Sequence, residues 1–99
     1  NKLPFTPGSI DLATEGVLSG GTARSRRYLG ENAQVHDSVS KAIADLAFDA
    51  ETSGGLLFSV PEKNSQALLE ALEAEGTPCA VIIGQVTASA NSHSRVILR

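Results

Sequence analysis

Asp49-Ala50-Glu51-Thr52-Ser53-Gly54-Gly55-Leu56-Leu57-Phe58-Ser59-Val60 (residues 49–60) is the stretch on which the reading of this 99-residue chain turns. Its first half is rich in turn formers and ends in two glycines. Its second half is an apolar run from Leu56 to Val60, short enough to be a strand buried on both faces. The flanks are helical. Upstream, Val39, Ala42, Ile43, Leu46 and Ala47 recur at i, i+3, i+4, i+7 and i+8, with Asp37 or Ser38 as N-cap. Downstream, Pro61-Glu62 makes a good first turn, Leu68, Leu69 and Leu72 form a core stripe, and Gly76 ends the helix. Cys79 to Ile83 then reads as a β-branched strand, Gly84 as a bulge or tight turn, and Gln85 to Ala88 as its continuation. Ala90 to His93 turns into a last strand, Ser94 to Leu98.

Before residue 37 the signals are weaker. Residues 1 to 5 read as a linker or edge strand, because Pro4 interrupts them. Thr6 caps and Pro7 opens a short helix with Ile10, Leu12 and Ala13 on its apolar side and Gly16 as its stop. Ser19 to Gly21 forms a loop, Thr22 caps a second helix through Arg24, Arg27 and Tyr28 to Gly30, and Glu31 to His36 is irregular. Three to four helices, three to four short strands and a strand–helix–strand unit over 55–83 predict one α+β domain over residues 1–99. Its sheet is expected to be small and mixed or antiparallel.

Composition narrows the function. Leu, Ile, Val and Phe supply 26 of the 99 residues, above the roughly 20% below which chains tend to disorder. The net charge of -3 leaves no electrostatic footprint for nucleic acid. No 18-residue apolar run or secretory leader is present, so no membrane role and a cytoplasmic location are expected. Cys79 is the single cysteine and cannot close an internal disulfide; within an apolar strand it reads as an inert buried thiol. The absence of methionine, at position 1 included, implies a chain processed or cut from a longer one.

Two stretches bear on chemistry. Thr52, Ser53, Gly54 and Gly55, just before a strand, let the backbone approach a ligand and offer N–H groups to an anion; a turn whose hydroxyls satisfy local donors accounts for the same residues. A nucleophilic Ser53 needs a base, and His36 and His93 sit in no recognisable motif. Ser19-Gly20-Gly21-Thr22, followed by Arg24, Arg26 and Arg27, reads either as an anion-binding helix start or as a capped surface helix. It is not a Walker A loop, which needs Gly-Lys-Ser/Thr. Glu70, Glu73 and Glu75 form the wet side of their helix, and His36, Cys79 and His93 lack metal-ligand spacing.

The string Glu51-Thr52-Ser53-Gly54-Gly55-Leu56-Leu57, reached through Asp49, resembles the Asp-Pro-Gln-Thr-Ser-Gly-Gly-Leu-Leu signature in the C-terminal domain of selenophosphate synthetase (selenide, water dikinase). Leu3-Pro4, Pro7-Gly8, Gly16, Gly20-Gly21-Thr22, Val60-Pro61-Glu62, Leu68-Leu69-x-x-Leu72 and Ile83-Gly84-x-Val86 follow in the family's order and approximate spacing. Ala50 and Glu51 stand in place of Pro and Gln, and Ser25 in place of an Asn found in many bacterial members. Glu51 thereby adds a negative charge to the segment.

The resemblance implies a parent enzyme that converts ATP, selenide and water into selenophosphate, AMP and phosphate, using Mg²⁺. It implies a superfamily related to aminoimidazole ribonucleotide synthetase, with an N-terminal ATP-binding domain, a C-terminal α+β domain and a homodimer. The family's catalytic Cys or selenocysteine, its Lys partner and its metal-binding aspartates lie upstream of the matched region. No catalytic or metal residue is therefore expected in this chain, which is inactive alone and binds no cofactor alone. Thr52, Ser53, Gly54 and Gly55 are the cleft-facing candidates, with Gly20, Gly21 and Thr22 shaping an adjacent turn. Two alternatives remain: a free-standing anion- or nucleotide-binding module, and a piece of another ATP-dependent synthetase of that superfamily.

Overall fold

The computed structural model describes residues 2–50, 54–88 and 96–99. Its elements run α1 (Ser9–Thr14), α2 (Gly20–Leu29), a 3-10 turn (Gly30–Asn32), β1 (Ala33–Val35), α3 (Lys41–Ala47), α4 (Glu62–Ala74) and β2 (Val96–Leu98). The α+β class holds. β1 and β2 pair in parallel, Ala33 with Val96, Gln34 with Ile97 and Val35 with Leu98, and His36 N–H extends the ladder to the Leu98 carbonyl at 2.9 Å. A parallel pair needs a long crossover, here supplied by the chain that carries α3 and α4. The expected mixed or antiparallel sheet is thus a parallel ribbon, and half of it comes from a segment read as irregular.

Other expected strands do not form. Among the described residues Leu56 to Val60 joins no ladder, with Leu56 83% and Leu57 79% exposed. Cys79 to Ile83 and Gln85 to Ala88 likewise join no ladder. β propensity expresses itself only where a neighbouring strand accepts the backbone hydrogen bonds, and none of the described residues does so here. Cys79 is consequently exposed, not buried. The Ala90 to His93 turn and the start of the last strand lie outside the described residues.

The helices follow local rules, with displaced caps. α1 starts after Gly8 at φ 83°, one turn into the Thr6-Pro7 signal, and Gly16 at φ 84° supplies the left-handed exit. α3 is capped by Ser40, whose Oγ accepts from Ile43 N–H at 3.4 Å, in place of Asp37 or Ser38. α4 is as read from its leucines: Leu68, Leu69 and Leu72 are half-buried and Gly76 turns out at φ 74°. The core lies where α1 packs on α3, around Ala13 and Ala44 at 6% and 2% exposure. The radius of gyration is 15.0 Å against about 13 Å for a self-contained domain of this length, which agrees with the apolar runs left uncovered.

Candidate functional site

The residues that matter gather where α2 begins and α3 ends. Two hydroxyls compete to cap α2, and Ser19 does so: extended at φ -71° and ψ 152°, it accepts from Gly21 N–H at 3.2 Å. Its carbonyl takes Thr22 N–H at 3.2 Å. Gly20, Gly21 and Thr22 are therefore the first helical turn rather than a loop, and Thr22 is free to turn its hydroxyl elsewhere.

It turns to Asp49, two residues past α3. Thr22 Oγ1 donates to Asp49 Oδ1 at 2.6 Å, Ser19 Oγ donates to the same oxygen, and Ala50 N–H completes the set at 3.0 Å. Asp49 N–H is itself held by the Leu46 carbonyl at 3.1 Å, so the carboxylate projects from the turn that follows α3. Hydrogen bonds from Ser19 and Thr22 hold the Asp49 carboxyl below its ordinary pKa, Ala50 N–H adds to this, and partial burial opposes it. A negative charge at the start of α2 also complements the helix dipole.

Glycine is required at position 21 by this contact. A Cβ there would sit 2.9 Å from Ala50 Cβ and 3.2 Å from Ser19 Oγ, so the α2 backbone seats directly on the chain leaving α3. A second clasp lies along the same two helices. Arg26 bonds the buried Asp45 at 2.9 Å, Lys41 bonds its other oxygen, and the Arg26 guanidinium lies 5.5 Å from the centre of the Phe48 ring.

Of the residues singled out in the sequence, Gly20, Gly21 and Thr22 thus meet the start of the 49–60 stretch. Gly54 and Gly55 are exposed. Gly55 avoids the left-handed region and a Cβ on it would meet nothing within 4 Å, so no tight turn forms at that position. Thr52 and Ser53 lie outside the described residues, as does His93. His36 is engaged locally, its Nδ1 accepting from Ser38 N–H at 3.2 Å and lying 2.8 Å from Ser38 Oγ. Among the described residues no three His, Cys, Asp or Glu side chains gather as metal ligands, and no helix is long and apolar enough to cross a membrane.

Sequence reasoning missed Asp49 and Ser19. The available signals were Ser19 as a stronger N-cap than Thr22 and Asp49 as the first residue of the resembled signature; its hydroxyl partners lie 27 and 30 residues away.

The family model described as AIR synthase related protein, C-terminal domain, matches residues 32–97. A selenide, water dikinase of Treponema denticola is 40% identical over 90 residues, covering 87% of this chain and 25% of its own length. One from Pelobacter propionicus is 36% identical over 84 residues, covering 85% and 24%. One from Nitratidesulfovibrio vulgaris strain DP4 is 35% identical over 99 residues, covering 100% and 28%. This chain spans about a quarter of the length of these curated relatives. No solved structure matches it. The resemblance carried by Thr52 to Leu57 therefore extends along the chain, and by its match over residues 32–97 the protein belongs to the AIR synthase related C-terminal domain family.

Proposed function

We propose that this chain is the C-terminal α+β part of an ATP-dependent enzyme of the selenide, water dikinase type. The parent forms selenophosphate, AMP and phosphate from ATP, selenide and water. Support comes from relatives of that name aligned along the chain, and one structural observation carries the reading to the site. Asp49 ties the Gly20-Gly21-Thr22 turn to the head of the stretch containing Thr52, Ser53, Gly54 and Gly55. Phosphoryl transfer depends mostly on positioning and charge stabilisation. Thr52 to Gly55 are accordingly the residues we assign to a wall of the nucleotide cleft, and Gly20 to Thr22 shape an adjacent turn.

In the parent, magnesium would supply charge neutralisation at the phosphate groups. The described residues do not fit its site: Asp45 is taken by Arg26 and Lys41, and Asp49 by Ser19, Thr22 and Ala50. Its ligands, the nucleophile and most of the ATP contacts are assigned to an N-terminal domain of the parent, which works as a cytoplasmic homodimer. At the start of α2 the Asp49 carboxylate, held by the Ser19 and Thr22 hydroxyls, disfavours a second negative charge. That placement favours the synthetase reading over a free-standing anion-binding module.

The test is AMP release by the purified parent with and without selenide. Release that requires selenide, with none from the 99-residue chain alone, supports the assignment. Release by the parent that ignores selenide contradicts it.

A further inference from the structure

We infer that Asp49 is a positioning residue of the parent enzyme, acting through the three hydrogen bonds its Oδ1 accepts and not through contact with ATP, metal or selenide. The inference rests on the proposed function and names a residue that holds the cleft wall. All three donors converge on one oxygen: Ser19 Oγ, Thr22 Oγ1 at 2.6 Å and Ala50 N–H at 3.0 Å. One comes from the N-cap of α2, one from its first turn, and the third is the first amide of the stretch that leads to Thr52. The carboxylate therefore fixes Ala50, through which the chain leaves α3, against the start of α2. Thr22 is 5% exposed, so water cannot readily replace its hydroxyl as a donor. Gly21 against Ala50 locks the same junction sterically.

An acceptor role and a charge role separate chemically. Asn at position 49 keeps an oxygen where Oδ1 stands and can accept from the same donors, whereas Ala removes it. Ligation of a cation or repulsion of a phosphate needs the charge, which Asn lacks.

The experiment compares the full-length parent as wild type, D49N, D49A and S19A/T22V. It reads selenide-dependent AMP release, KM for ATP, melting temperature and amide exchange at Ala50. In D49A, KM for ATP rises or kcat falls by about tenfold per folded molecule, while D49N stays within about threefold of wild type. S19A/T22V reproduces D49A, and combining the two adds little, because they break one unit. Exchange at Ala50 quickens by about tenfold in D49A and not in D49N.

A D49N enzyme as impaired as D49A overturns the inference in favour of a charge role. Unchanged kcat and KM in a folded D49A enzyme overturn it in favour of stability alone. If D49A does not fold, S19A/T22V and D49N decide on the same readouts. Should the wild-type parent lack selenide-dependent turnover, the functional reading fails by itself; unchanged Ala50 exchange in D49A overturns the anchoring independently of any activity.

Discussion

Thr22 and Asp49 meet at 2.6 Å across 27 residues of chain, one in the first turn of α2 and the other just past α3. A buried hydroxyl bonded to a carboxylate is a strong contact to lose, and here it joins the start of α2 to the chain just past α3, beside the Arg26–Asp45 pair. Replacing Thr22 by Val keeps the shape and removes the donor. The expected cost is about 1.5 kcal/mol, read from urea midpoints of the parent at neutral pH. An unchanged midpoint would show that the contact contributes nothing.

Gly21→Ala sets two effects against each other. Helix propensity favours Ala by up to about 1 kcal/mol, but the new Cβ would stand 2.9 Å from Ala50 Cβ. Neither is the far end of a flexible side chain, so backbone must move, at about 1–3 kcal/mol. Destabilisation is the expected sign. Removing the obstacle in G21A/A50G should restore most of the loss; a G21A protein more stable than wild type would refute the close seating.

The Asp49 carboxyl titrates below its ordinary value of 3.8 because Ser19 and Thr22 donate to it. A pKa lower in the folded than in the unfolded chain gives stability that is fully present above the unfolded value. It is lost as pH falls from about there through the folded pKa. Between pH 6 and 3, urea midpoints of wild type should therefore fall more steeply than those of D49N. Parallel curves would count against the carboxylate's hydrogen bonds.

Asp45 is 4% exposed and is paired with both Arg26 and Lys41. Breaking a buried ion pair by removing one partner costs about 3–5 kcal/mol. Lys41 remains in R26A and Arg26 is itself half-exposed, so about 2 kcal/mol is expected, including the lost contact with Phe48. R26K should recover only part of it, since Lys lacks the planar fork. Thermal unfolding of the three proteins measures this, and an R26A midpoint equal to wild type would contradict it.

What could be read in advance was what is local. α4 is visible in Leu68, Leu69, Leu72 and Gly76 because a helix needs only its own neighbours. α3 is visible in its apolar spacing, though its cap shifted to Ser40 among several candidate polar residues. Strands depend on partners far along the chain. Ala33-Gln34-Val35 carries little strand signal and pairs with residues 96–98, while the β-branched run at 81–83 finds no partner among the described residues. The site divides the same way. Gly20 to Thr22 and the glycine-rich stretch stand out by composition, but the carboxylate joining them emerges only when α2 and α3 pack.

The most direct test of the whole account is phosphorus NMR of the full-length parent incubated with ATP, Mg²⁺ and selenide. The account predicts a selenium-bonded phosphate signal that grows in step with AMP and is absent without selenide. AMP formation with selenide present but no such product, or equal turnover without selenide, would contradict it.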